Sequence, residues 1–211
     1  GKTMIEGAYE AALGSQADEI IIATDSEKIK DVCKKFGAKC LITSSEHKSG
    51  TDRVNEVAVI ENWSDEMIIV NLQGDNALMP SKNIDQVAKL LFDNPAYSIA
   101  TLATNFLSKD EEEDENAVKV FFDKETDEAI TFKRQLKTYG NTTVNYMRHI
   151  GIYAYTRSSL RTFSDSEPSS EEEEEKLEQL RAYDLKLRII VGKASITPGP
   201  DVDTYEDLLL V

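Results

Sequence analysis

The segment from Met67 to Pro80, MIIVNLQGDNALMP, constrains the fold more tightly than any other stretch of this chain. Met67, Ile68, Ile69 and Val70 form an unbroken apolar run, and Gln73, Gly74 and Asp75 follow before the chain halts at Pro80. Four consecutive apolar residues bounded by polar and turn residues suit a strand covered on both faces, as in a parallel sheet. Gly74 permits a sharp exit and sets Asp75 just beyond the strand's carboxyl end. In open α/β sheets that rim is where ligands bind. A carboxylate there is a natural hard-cation ligand facing a phosphate. An Asx turn or helix cap at a strand exit is the plainer alternative, so Asp75 needs support from elsewhere.

The first half repeats one pattern. Met4, Ile5, Ala8, Ala11, Ala12 and Leu13 predict a helix that Gly14-Ser15 ends. Glu19 to Asp25 (EIIIATD) reads as a buried strand, and Ser26 caps a helix to about Phe36, where Gly37 suits the stop. A short strand over Lys39 to Thr43 and a helix over Thr51 to Asn62 precede the Met67 strand. A helix from Ser81 to Phe92 follows it, ended by Asn94-Pro95. Strands alternating with helices of this length mean βαβ units and a mainly parallel sheet.

The second half is richer in strands. They are expected at Ser98 to Thr104, Ala117 to Phe122, Glu128 to Lys133, His149 to Tyr155 and Leu187 to Val191. Asp123-Lys124 makes a turn, and Lys109 to Asn116 an acidic, exposed connection. Leu136 to Tyr146 reads as a polar loop facing substrate or partner. Ser158 to Phe163 predicts a short helix, Glu171 to Ala182 a longer one, and Thr204 to Leu210 a terminal one after the rigid turn Pro198-Gly199-Pro200. These β-rich segments are expected to extend the first sheet as a small arm.

With 211 residues, 40% of them hydrophobic, the chain is long enough for one sizeable α/β domain or two small lobes. A formal net charge of -15 argues against nucleic acid and anionic membranes as partners. An anionic substrate would then need local Lys and Arg, or a bound cation. Cys33 and Cys40 fit no zinc spacing and read as free thiols of a reducing compartment. No apolar run reaches membrane-spanning length, and Gly1-Lys2-Thr3 begins no recognisable signal peptide, so a cytoplasmic location is the default expectation.

Four further groups are candidates for chemistry. Asp203, within Asp201-Val202-Asp203-Thr204, sits ahead of a predicted helix. It either complements that helix's positive end or meets Asp75 across the sheet rim to hold one Mg²⁺. His47 to Arg53 (HKSGTDR) is a loop running into a helix N-terminus, where Ser49, Gly50, Thr51 and Arg53 can surround a nucleotide or simply cap the helix. Lys133-Arg134 and Arg148-His149 put basic groups on the second half, to clamp an anionic sugar acid or to sit at the surface. Glu171 to Glu175 reads as a solvated helix face. In its continuation, Leu177-Glu178-Gln179-Leu180-Arg181, leucines three apart share a face that also needs polar partners.

In order, GKTMI, IIIATD, HKSGTDR, VNLQGD, NAVKV, HIGIYAY, LEQLR and VDTYEDL resemble the 3-deoxy-manno-octulosonate (Kdo) cytidylyltransferase family, CMP-Kdo synthetase, across nearly the whole chain. The resemblance implies a Rossmann-like nucleotide-diphospho-sugar transferase fold, mainly parallel with a small β-rich extension. It implies one domain over residues 1–211, with residues 1–105 on the nucleotide side and 106–211 on the sugar and dimerisation side. It further implies a homodimer in lipopolysaccharide or capsule synthesis that couples CTP to Kdo, with Mg²⁺, giving CMP-Kdo and pyrophosphate.

Carried over by motif, Asp75 and Asp203 match the two metal carboxylates, and Ser49, Gly50, Thr51 and Arg53 the nucleotide-side loop. Gln73 matches a position shared by nucleotide and sugar acid, and Arg134, His149, Tyr153, Glu178 and Gln179 match sugar-acid positions. The chain departs from the family in three places. It begins at a position matching the family's first helix, just after the first strand and its basic loop, and a sheet without that strand would carry an open edge. Asp75 is followed by Asn76-Ala77 where Glu-Pro is usual, and Lys133 replaces the usual Ser before Arg134. A catalytically inactive homologue that binds a sugar acid or serves as a dimerising partner is the alternative reading.

Overall fold

Hydroxyl side chains set the start of most helices, as their positions before apolar periodic runs predict. The Ser26, Ser49 and Thr156 side chains accept from the backbone N–H of Ile29, Asp52 and Ser159, satisfying donors that the first helical turn leaves open. At the far end of the second helix Gly37 takes φ +76°, a conformation suited to glycine.

In the computed structural model, which describes residues 2–136 and 144–199, the elements follow in this order. Helix α1 (Met4–Leu13) precedes β1 (Ile22–Thr24), α2 (Glu27–Lys35), β2 (Cys40–Ile42) and α3 (Gly50–Ile60). Then come β3 (Ile68–Leu72), α4 (Ser81–Asp93), β4 (Ile99–Thr104), α5 (Lys109–Glu113), β5 (Lys119–Phe122) and β6 (Ala129–Lys133). After these lie β7 (Asn145–Thr156), α6 (Arg157–Ser164), α7 (Ser170–Glu175), a 3₁₀ turn (Glu178–Leu180), α8 (Arg181–Asp184) and β8 (Ile189–Lys193). Asp203, Pro200, the expected helix at 204–210 and residues 137–143 of the expected loop lie outside the described residues.

Strand β7 is the spine of a six-stranded sheet. Along one edge it pairs antiparallel with β4, and along the other with β3 in its second half and β5 in its first. Strand β8 runs parallel to β4, and β6 antiparallel to β5. Strands β3, β4, β5 and β8 therefore share one direction while β6 and β7 oppose it, which makes the sheet mixed, with most strands running one way. Strands β1 and β2 form a separate parallel pair, and the edge of β3 away from β7 has no strand partner among the described residues.

Alternation sorts the side chains into two cores. Ala100, Leu102, Ile152, Ala154 and Ile190 pack under α4 (Ile84, Val87, Leu91) on one face. Ile69, Ile99, Tyr153, Tyr155, Ile189 and Val191 face α6 (Leu160, Phe163) and the 177–182 segment on the other. Strand β3 contributes to both cores, as its apolar run predicts, although its burial alternates, with β7 as its one ladder partner among the described residues.

Three expectations need correction. The acidic connection at Lys109 to Asn116 contains the short helix α5, started by the Ser108 cap. Strand β7 begins at Asn145, four residues before the predicted start, because β5 supplies it with a partner there. The single helix expected over Glu171 to Ala182 is broken: Lys176 closes α7 in the left-handed region at φ 54° and the chain resumes as the 3₁₀ turn. Leu177, Gln179 and Leu180 then turn inward together, a placement that a continuous solvated helix would not give.

Candidate active site

The first turn of α3 forms one wall of the site. Ser49 caps it and Thr51, fully buried, turns its hydroxyl inward to donate to Glu178 Oε1 at 2.9 Å. With that proton committed, the Thr51 oxygen accepts from the Tyr155 hydroxyl at 3.3 Å. Gly50 lacks the Cβ that would otherwise project here, and the Asn71 Nδ2 lies 3.8 Å from where that atom would stand.

A ladder of rings from β7 forms the floor. Tyr155 and Tyr153 have ring centres 6.0 Å apart, and Tyr153 and His149 5.3 Å. Residues four apart on a regular strand would be separated by about 13 Å. A bulge closes that distance: Thr101 on β4 pairs with Tyr153 but Leu102 pairs with Ile150, so Gly151 and Ile152 have no partner on β4, while Ile152 stays paired with Leu72 on β3. The Thr101 hydroxyl donates to the carbonyl of Ile152 at 2.8 Å and so accepts from His149 Nε2 at 2.9 Å. This fixes the tautomer and leaves Nδ1 as the acceptor nitrogen. Enclosure of the ring by Phe132 and Tyr153, with the Arg148 charge behind it, pushes the imidazole down to about 3, so it is neutral at physiological pH. Burial likewise raises both tyrosine hydroxyls, which remain protonated donors.

The 3₁₀ turn closes the third side. Burial raises the Glu178 carboxyl, and the Thr51 and Ser49 hydroxyls offset only part of that rise. Its Oε2 is buried and has no hydrogen-bond partner among the described residues. Arg181 anchors the turn from behind. Its guanidinium forks onto Glu172 (Nε to Oε2 2.8 Å, one terminal nitrogen to Oε1 2.6 Å), lies over the Phe163 ring and stands 3.6 Å from Asp52. The Arg181 charge thus ties α3, α6 and α7 together around the turn that carries Glu178 and Gln179.

The fold links Glu178, Thr51, Tyr155, Tyr153 and His149 in one run of contacts, with Ser49 and Gly50 at the same α3 turn and Gln179 on the same 3₁₀ turn, and sends other candidates elsewhere. Arg53 binds the Thr43 hydroxyl at 2.6 Å, the Ser44 carbonyl and Asp25, at the carboxyl ends of β1 and β2. Arg134 is engaged by the carbonyls of Glu175, Lys176 and Glu115, and so clips the end of β6 to α7. Gln73 follows β3, with its carbonyl accepting from the Asn76 N–H. Asp75 lies half-buried in the same exit loop, where the Asn76 amide donates to it at 3.2 Å. Asp203 lies outside the described residues.

Comparison with known proteins places this arrangement in a family. A family model described as cytidylyltransferase matches residues 1–189. A 3-deoxy-manno-octulosonate cytidylyltransferase from Francisella tularensis subsp. tularensis is 39% identical over 99% of this chain and 86% of its own length. The chain belongs to the 3-deoxy-manno-octulosonate cytidylyltransferase family. A relative of the same name from Thioalkalivibrio sulfidiphilus is also 39% identical over 99% of this cytidylyltransferase. Among solved structures, a CMP:2-keto-3-deoxy-manno-octonic acid synthetase complexed with CTP superposes with a TM-score of 0.89 at 33% identity, covering 100% of this chain and 86% of that one. A Leptospira borgpetersenii cytidylyltransferase, 18% identical with a TM-score of 0.60, shares the fold.

Several residues around these contacts in the cytidylyltransferase escape sequence reasoning. Thr101 sits in a fully buried apolar strand, where nothing marks its hydroxyl as the partner of a histidine 48 residues away. Asn71 interrupts the apolar run of β3, and that break was the available signal. Tyr155 reads as one more alternating aromatic, and Arg181 as the end of a charged helix.

Proposed function

We propose that this cytidylyltransferase joins CTP to Kdo, giving CMP-Kdo and pyrophosphate. The observation that carries the reading is the run of contacts that joins the α3 N-terminus and the Glu178–Gln179 turn to the His149–Tyr153 pair through Tyr155, in a chain whose relatives bear that name. The sugar's anomeric hydroxyl attacks the α-phosphorus. A new phosphorus–oxygen bond forms, the bond to the bridging oxygen of the β-phosphate breaks, and pyrophosphate departs while the hydroxyl proton passes to solvent. Little covalent chemistry falls to the protein in such a transfer, so its work is positioning and electrostatics.

In this reading His149, neutral and fixed by Thr101, presents Nδ1 to a sugar hydroxyl. Tyr153, Glu178 and Gln179 set the sugar's orientation, with Gln73 at the strand exit between sugar and nucleotide. Ser49, Gly50 and Thr51 line the nucleotide side. Arg53 and Arg134 contribute through the loops that they brace, and their positive charge offsets part of the net charge of -15.

Magnesium suits the residues present. Asp75 offers a half-buried carboxylate at the carboxyl end of β3. Magnesium is typically held by one or two carboxylates together with substrate phosphates. Asp75 and Asp203 would hold it, and the ion, when bound, neutralises phosphate charge.

The same reading assigns the protein to cytoplasmic synthesis of lipopolysaccharide or capsule precursors, and no helix among the described residues is long and apolar enough to cross a membrane. It also makes the protein a homodimer. Supporting that, Leu107 is 77% exposed and follows Phe106, whose ring meets Tyr146 and through it Phe121 in tilted contacts at the β5–β7 end of the sheet. The family relatives favour the enzyme over a non-catalytic binding partner. Purified full-length protein should release pyrophosphate from CTP only when Kdo and magnesium are both present. Release without the sugar, or none with both, would sink the reading.

A further inference from the structure

Asn71 is a buried polar side chain beside the run of contacts from Glu178 to His149, and it has no assigned work. It is 4% exposed, and its Nδ2 is buried without a hydrogen-bond partner among the described residues. A buried amide left unsatisfied is costly, and native structures keep such groups where a ligand or bound water completes them. Its surroundings point to a ligand. Asn71 pairs with Tyr153 across the β3–β7 ladder and so projects onto the ring-lined face of the sheet. Its Nδ2 lies 3.8 Å from where a Cβ at Gly50, in the first turn of α3, would stand.

A second orphan flanks the same turn. Glu178 Oε2 is buried and, among the described residues, no hydrogen bond of normal geometry is made to it, while its Oε1 is held by Thr51, one residue beyond Gly50. One unpaired donor and one unpaired acceptor beside a shared turn describe a site for hydroxyl groups, which both accept and donate. A carboxylate fits less well, because it would meet Glu178 charge to charge.

We propose that Asn71 is a further substrate-binding residue whose side-chain N–H donates to a hydroxyl of the sugar acid held between β3 and the 3₁₀ turn. This rests on the function proposed above, and separate Michaelis constants keep the two apart. Asn71→Leu removes the amide at nearly constant volume, Asn71→Asp removes the donor while keeping the shape, and Asn71→Ser restores a smaller donor. In the leucine and aspartate variants the KM for Kdo should rise about three- to tenfold, the worth of one neutral hydrogen bond. The KM for CTP should stay within about twofold, and the serine variant should recover part of the loss. The leucine variant should melt at or above the wild-type temperature, since an unsatisfied buried amide has gone. Unchanged KM for Kdo, an equal rise in both constants, or a large fall in melting temperature in all three variants would each overturn the assignment. A wild-type protein that fails to turn over CTP and Kdo would overturn the functional reading and this one with it, whereas normal turnover with unaltered variants sinks Asn71 alone.

Discussion

Thr51 and Glu178 stand 127 residues apart in sequence and 2.9 Å apart in the fold, hydroxyl to carboxylate. That contact joins the start of α3 to the 3₁₀ turn and holds an acidic group in a setting that disfavours its charge. Burial raises the Glu178 carboxyl above its ordinary value of 4.5. The folded state then binds the proton more tightly than the unfolded one. From pH 4.5 up to the raised folded value, stability falls as pH rises, and above that window the loss is complete. Glu178→Gln should therefore raise the melting temperature at neutral pH, with the gain vanishing below pH 4.5, while catalytic turnover drops. Thermal melts across pH test this; a gain that persists in acid would mean that ionisation is not its source.

His149 shifts in the other direction. Its imidazole is pushed down to about 3 from an ordinary 6.5, so the unfolded chain takes up a proton that the folded one refuses. Stability from this group is intact above pH 6.5 and is lost progressively as pH falls toward 3. In His149→Gln, the dependence of urea-unfolding free energy on pH across that window should shallow by about one proton. An unaltered slope would show that the ring titrates normally in the folded protein.

Arg181 should be the most sensitive single residue behind the pocket. Its side chain is 3% exposed and that of Glu172 11%, so removing the guanidinium strands a largely buried carboxylate. Arg181→Met should cost about 3–5 kcal/mol of stability in chemical denaturation. The double variant Arg181→Met with Glu172→Met should recover much of that, because the desolvation of both charges disappears together. A double variant as unstable as the single one would mean that the stacking of Arg181 on Phe163, 4.5 Å from its ring centre, is the larger contribution.

Asp75→Asn separates chemistry from folding. Asp75 is half-buried in an exit loop outside both cores, so the melting temperature should stay near wild type. Turnover should fall by roughly two to three orders of magnitude, as when other preorganised electrostatic groups are lost. Turnover that stays near wild type at saturating magnesium would remove Asp75 from the metal assignment.

Much of this architecture was legible because local patterns and tertiary needs agree. The Ser26 and Ser49 caps, the apolar run of β3 and the Asn94-Pro95 stop fall where the sequence predicts them. The failures share a cause. The helix expected over Glu171 to Ala182 breaks at Lys176 because Arg181 folds back onto Glu172, a contact that helical periodicity does not encode. The approach of His149 to Tyr153 depends on a bulge that only pairing with β4 reveals. Arg53 and Arg134 look alike on paper as free phosphate or carboxylate binders, yet both are engaged by oxygens of the protein itself.

The sequence by itself determined the alternation of strands and helices, the family, and the residue types available for chemistry, because periodicity, capping and motif order are local or collinear properties. Tertiary structure alone decided which of those residues meet. It set Asn71 opposite Tyr153 and Thr101 against His149, fixed the His149 tautomer, and set Glu178 against Thr51. The physical reason is that a hydrogen bond or an orphaned donor is defined within about 3 Å, a distance that strand register and a single bulge control and that linear spacing does not.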